Sequence, residues 1–128
     1  MPPMANAAPD ALRFYGVVDV EEANGHHAPV DGVTVVRFRD LGAVVAPTRY
    51  VRVQPGDEEL TDYVRVVDEL YAHGPVLPAP PGTVFRNARV LQTWLELHHA
   101  KLHEALGVVE QRRSPHPPYD FVRMELGA

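Results

Sequence analysis

The sequence predicts an α+β fold: a three- to four-stranded, mostly antiparallel sheet with two helices packed on one face, a sandwich related to the ferredoxin-like arrangement. Three observations carry this expectation. Short runs rich in β-branched and aromatic residues fill the first third of the chain. Two later segments repeat apolar residues at three- and four-residue steps, as amphipathic helices do. A link dense in proline separates those two segments.

The elements follow in order. Residues 1–11 hold three prolines among small residues with no periodicity, so a flexible tail is expected, followed by one domain over residues 12–128. Leu12–Val18 reads as a strand, and Glu21–Gly32 as a polar loop with Asn24-Gly25 and Asp31-Gly32 as turn signals. Val33–Phe38 and Gly42–Ala46 are two more strands, and the short Arg39-Asp40-Leu41 connection pairs them as a hairpin.

A loop over Thr48–Gly56 leads to Asp57, placed to cap a helix, with Glu58 and Glu59 at the positive end of its dipole. Leu60, Tyr63, Val64, Val67, Leu70 and Tyr71 form one apolar stripe on that helix. Gly74 is expected to end it in the left-handed conformation, and Pro75 forbids continuation. Pro75–Gly82 has four prolines in eight residues, which excludes a helix or a central strand. Asn87 can cap a second helix whose face carries Leu91, Trp94, Leu95, His98, Leu102, Ala105 and Leu106, with Gly107 as its end. Val108–Gln111 and Tyr119–Leu126 read as extended pieces, separated by Ser114–Pro118.

Composition narrows function. The 128 residues, 45% hydrophobic and 23% charged, suit one domain with one core. A net charge of −5 argues against a general nucleic-acid binder. No apolar run approaches the roughly 20 residues of a membrane span, and no signal peptide is read at the N-terminus, so a cytoplasmic protein without a membrane partner is expected. The absence of cysteine excludes a disulfide scaffold, thiolate metal sites and a cysteine nucleophile.

Candidate chemistry is sparse. Glu96, His99 and His103 fall on one flank of the second helix, and two imidazoles at i, i+4 with a carboxylate suit zinc. The competing reading is a solvated polar flank, which the lack of any metalloenzyme motif favours. His98 lies on the apolar stripe and reads as a packed histidine, whereas His26-His27 reads as surface. No nucleophile elbow or phosphate-cradling glycine loop occurs, and Arg112-Arg113 is too short for a nucleic-acid patch. A ligand pocket between sheet and helices near Tyr15, Tyr63 and Trp94 is a further alternative.

The most distinctive string is Gly74-Pro75-Val76-Leu77-Pro78 followed by Gly82-Thr83-Val84-Phe85, preceded by Val66-Val67-Asp68-Glu69-Leu70. It resembles the central motif of the gas vesicle GvpL/GvpF family, a "GPVLP…GTVF" link between two helices. Phe14–Val18, Asp40–Val45 and Leu102 with Glu104–Gly107 and Glu110 agree with the same family, so the resemblance spans about residues 13–110 and covers the family's N-terminal domain. One departure is Pro80-Pro81, where the family usually has Arg-Phe.

The resemblance implies a non-enzymatic accessory protein of gas vesicle assembly, cytoplasmic or vesicle-associated, with no cofactor. Its expected partners are the hydrophobic gas vesicle shell protein and other gas vesicle accessory proteins. An open sheet leaves edges, so strand addition beside Val33–Phe38 or Leu12–Val18 is the expected mode of binding. The alternatives are a small metal-binding protein or metal-dependent enzyme using Glu96, His99 and His103, and a small-ligand-binding module.

Overall fold

A single long strand, β1 (Ala11–Asp19), lies inside the sheet and organises it. The computed structural model describes residues 9–20, 30–50 and 56–113. The expected Tyr119–Leu126 strand, residues 1–8 of the expected tail and His26-His27 lie outside the described residues.

β1 pairs antiparallel with β3 (Leu41–Thr48), from Ala11 opposite Thr48 to Asp19 opposite Leu41. β2 (Thr34–Phe38) pairs with β3 across a turn of Arg39 and Asp40, with Arg39 at φ 56°. On its other side β1 pairs with β4 (Val76–Pro78) through Gly16–Val18 and with β5 (Val84–Phe85) through Leu12 and Arg13. The strand order is therefore β2-β3-β1-β4, with β5 beside the start of β1: an open antiparallel sheet of five strands among the described residues. The α+β class stands, and the strand number exceeds expectation because the proline-rich link and the residues just after it contribute two short strands. Both flank β1 as edges, where Pro78, lacking an N–H, is tolerated.

The helices do not share one face, which corrects the expected arrangement. Alternate residues of β3 enter two separate cores. Ala43 and Val45 join Phe14, Val17, Leu91, Leu95 and Leu106, whereas Val44 and Ala46 join Tyr15, Val33, Val66, Leu70 and Val76. Thus α1 (Asp57–His73) covers one face of the sheet, and α2 (Ala88–Leu97) with α3 (His99–Arg113) covers the other. The physical reason is that Leu41–Ala46 is apolar at every position and buried throughout, the pattern of a strand covered on both sides.

α1 departs from its expected register. Val66 and Leu70 are its buried residues, Tyr63 and Val67 are half-buried, and Leu60, Val64 and Tyr71 are exposed. Its N-cap is Gly56 rather than Asp57, and the Gly56 N–H donates to Glu59 Oε1 at 2.7 Å. Gly74 is extended, at φ 166°, not left-handed; its N–H closes the helix on Leu70 O at 3.2 Å.

The second predicted helix is two. Asn87 caps α2 as expected, its Oδ1 accepting from Val90 N–H at 2.9 Å, but the helix breaks at His98 (φ −110°, ψ 15°). A straight helix from Ala88 to Arg113 would run about 39 Å at 1.5 Å per residue. Across the break, Leu106 lies in the same core as Leu91 and Leu95. Nor does Gly107 end the second half, which continues through Val108–Gln111 to Arg113. Glycine lowers helix stability without forbidding it, and the following Glu110, Gln111 and Arg112 are good helix formers.

Candidate functional site

The GPVLP…GTVF segment forms the β4–turn–β5 edge, and a bulge in β1 accommodates it. Phe14 opposes Val45 while Gly16 opposes Val44, so Tyr15 is the extra residue. Opposite this bulge the edge leaves the sheet: Ala79 N–H donates to Tyr15 O and Phe14 N–H to Thr83 O, both at 2.9 Å. The excursion closes with Thr83 N–H on Pro80 O at 3.2 Å and Thr83 Oγ1 on the same oxygen at 2.6 Å. Pro81 then occupies the second turn position and Gly82, at φ 89°, the third, the residue pair that a type II turn selects. Pro80-Pro81 is thus a turn device in this chain.

The same segment ties the two helical layers together. Val76 packs in the α1-side core, where the Tyr63 hydroxyl donates to Ala79 O. On the opposite side Phe85 meets Phe14 at 5.4 Å and Trp94 at 5.8 Å, both edge-on. Leu77 also packs against that core, Gly74, Pro75, Thr83 and Val84 are half-buried, and Pro78 and Gly82 are exposed.

The charged side chains pair elsewhere. Tyr15 is 2% exposed, and its hydroxyl donates to Asp62 Oδ2 at 2.6 Å. Burial, then the Asp62 carboxylate, push this phenol above its usual pKa. Asp62 also accepts from Arg65 at 2.8 Å and faces Arg13 at 3.7 Å; the bonds from Tyr15 and Arg65 hold its carboxyl low against the effect of burial. Tyr15 stacks on Tyr63 at 6.5 Å, but Trp94 packs against the core on the opposite face of the sheet. These three aromatics therefore do not line one pocket together.

His99 and His103 do converge, but on Asp40 rather than with Glu96. His99 Nε2 and His103 Nδ1 reach the two carboxylate oxygens of Asp40 at 2.7 and 2.8 Å. Burial alone would raise the Asp40 carboxyl, but the two imidazole bonds and its own backbone N–H hold it below the ordinary range. Glu96 is exposed and takes no part. Both oxygens are filled by imidazole N–H donors, and among the described residues no group of three or more His, Asp or Glu side chains is arranged to hold a metal ion. The cluster clamps the β2–β3 turn to the start of α3. Helical spacing pairs the histidines with Glu96, but it carries no trace of a partner 59 residues away.

Of the two expected docking strands, Leu12–Val18 lies within β1 and is paired on both sides, so it offers no edge. β2 does. Phe38 and Leu41 close the two-residue turn and exchange the ladder bonds, so the backbone groups of Val35 and Arg37 point away from β3. Gln92 Nε2 covers one of them, donating to Arg37 O at 3.0 Å, and among the described residues no strand pairs with the outward side of Val35.

No helix among the described residues is long and apolar enough to cross a membrane. Neither among curated proteins nor among solved structures does any match this chain. The family model of gas vesicle synthesis protein GvpL/GvpF matches residues 13–114, the span that holds the whole described sheet but the first two residues of β1, together with the three described helices. The chain belongs to the GvpL/GvpF family of gas vesicle synthesis proteins.

Proposed function

We propose that this protein is a non-enzymatic accessory of gas vesicle assembly that binds the hydrophobic shell protein directly, in the cytoplasm and at the growing vesicle, alongside other accessory proteins. The observation that carries this reading is the family match over residues 13–114. A shell subunit that is apolar and prone to self-association needs a partner for its strand edges until it is incorporated. The edge of β2 at Val35, unpaired among the described residues, suits such pairing by strand addition. In this reading Gly74, Pro75, Val76, Leu77, Pro78, Gly82, Thr83, Val84 and Phe85 support binding by closing the other side of the sheet, so that one edge is left to the partner.

The test is co-purification with the shell protein, with a two-domain family member as positive control. Val35→Pro removes an outward-facing N–H and leaves the β2–β3 ladder bonds in place. The expected result is capture by the native chain and its loss in the proline variant, whose circular dichroism must remain native. Capture by the control but not by this chain overturns the proposal.

A further inference from the structure

The first helix is apolar on more of its circumference than the sheet covers. Val66 and Leu70 face the core, yet Leu60, Val64, Val67 and Tyr71 make a second row at i, i+4, i+7 and i+11. Val64 is 54% exposed and Tyr71 46%. Tyr63 separates this row from the buried face and bonds to Ala79 just beyond β4, so the row lies on the β4 side of the helix.

Charge selects what can lie there. Asp57, Glu58, Glu59, Asp62, Asp68 and Glu69 stand against Arg65 alone, so the helix carries −5, equal to the net charge of the whole chain. Asp57 and Asp68 fall along the outer border of the apolar row by helical spacing. A second copy docked through this row would bring two such acidic helices together. The segment Tyr119–Leu126 offers Arg123 against Asp120 and Glu125 and supplies no compensating charge.

We propose that the outer row of α1 is a docking surface for a cationic amphipathic helix of another protein, with apolar residues seated on Leu60, Val64 and Val67 and Lys or Arg facing Asp57 and Asp68. Complementary flanking charges set partner choice and orientation in paired helices of this kind. The surface is separate from the β2 edge, which lies three strands across the sheet, roughly 14 Å at the usual strand spacing.

The probe is a synthetic amphipathic peptide as long as α1, 17 residues, with leucine at the two seam positions of each heptad and lysine beside them. Titration into the isotope-labelled chain should perturb amides of α1 around Val64 and leave β2 unmoved. Val64→Glu should weaken binding by about tenfold or more, even though it makes the helix more acidic. Asp57→Lys with Asp68→Lys should also weaken it and flatten its salt dependence. Unchanged or tighter binding by Val64→Glu would reduce the contact to bulk charge attraction and overturn the proposal. So would perturbations centred on β2, equal binding by a peptide with glutamate in place of lysine, no binding, or a dimer of the chain alone that Val64→Glu dissolves.

Discussion

Gly16 and Leu77 approach so closely that a Cβ on Gly16 would sit 2.7 Å from the Leu77 carbonyl oxygen and 3.1 Å from Pro78 Cα. Both neighbours are backbone in a strand fixed by the bulge at Tyr15, so neither can swing aside. The glycine is the sequence's provision for a proline-bounded edge strand that must lie close against β1.

Gly16→Ala should therefore destabilise the fold by about 2–3 kcal/mol, the scale of overpacking. Chemical denaturation measures this. A midpoint shift within the scatter of surface substitutions, about 0.5 kcal/mol, would mean that β4 does not lie this close to β1.

Trp94→Ala should cost about 3 kcal/mol. The indole is half-buried, yet it makes edge contacts to Phe14 at 5.6 Å and Phe85 at 5.8 Å and lies 5.1 Å from His98. Its loss opens the α2-side core beside the helix break at His98. A cost below about 1 kcal/mol would remove Trp94 from that core.

The acid limb of stability should respond to Asp40. Its folded pKa lies below the ordinary carboxylate value, so the native state binds fewer protons than the unfolded chain. The resulting stabilisation is present above the unfolded value, about 3.9, and is lost as pH falls through the lower folded one. Asp62 is depressed in the same direction and adds to the same limb. Asp40→Asn should lower stability at neutral pH and flatten its fall between about pH 5 and the folded value. Denaturation midpoints across that range decide it, and an unchanged acid limb would count against the His99–Asp40–His103 clamp.

What local chemistry specifies was legible in the sequence, and what distant contacts specify was not. The β-branched runs locate β1, β2 and β3, and Asn87 marks the start of α2, because propensity and capping act within a few residues. The continuous apolar run Leu41–Ala46 also signals burial on both faces, but its meaning depends on where the helices go. On α1 the rows through Val66 and Val64 are both apolar, so periodicity cannot say which of them meets the sheet. The clamp on Asp40 and the seat of Tyr15 against Asp62 join residues 59 and 47 positions apart, and spacing along one helix is blind to both.

Gly107 tests that distinction most directly. A glycine that ends a helix in the left-handed conformation resists a side chain, because Cβ clashes there. A glycine inside a helix gains from one, because alanine narrows the unfolded ensemble and favours the helical backbone. Gly107 lies within α3, between the buried Leu106 and the exposed Val108, and its φ is not in the left-handed region. A Cβ there would meet nothing within 4 Å, so steric cost does not offset the gain. Gly107→Ala should accordingly stabilise the protein by about 0.5–1 kcal/mol, read as a higher denaturation midpoint at unchanged slope. Destabilisation by a similar amount would restore Gly107 as a helix end and return Val108–Gln111 to an extended segment.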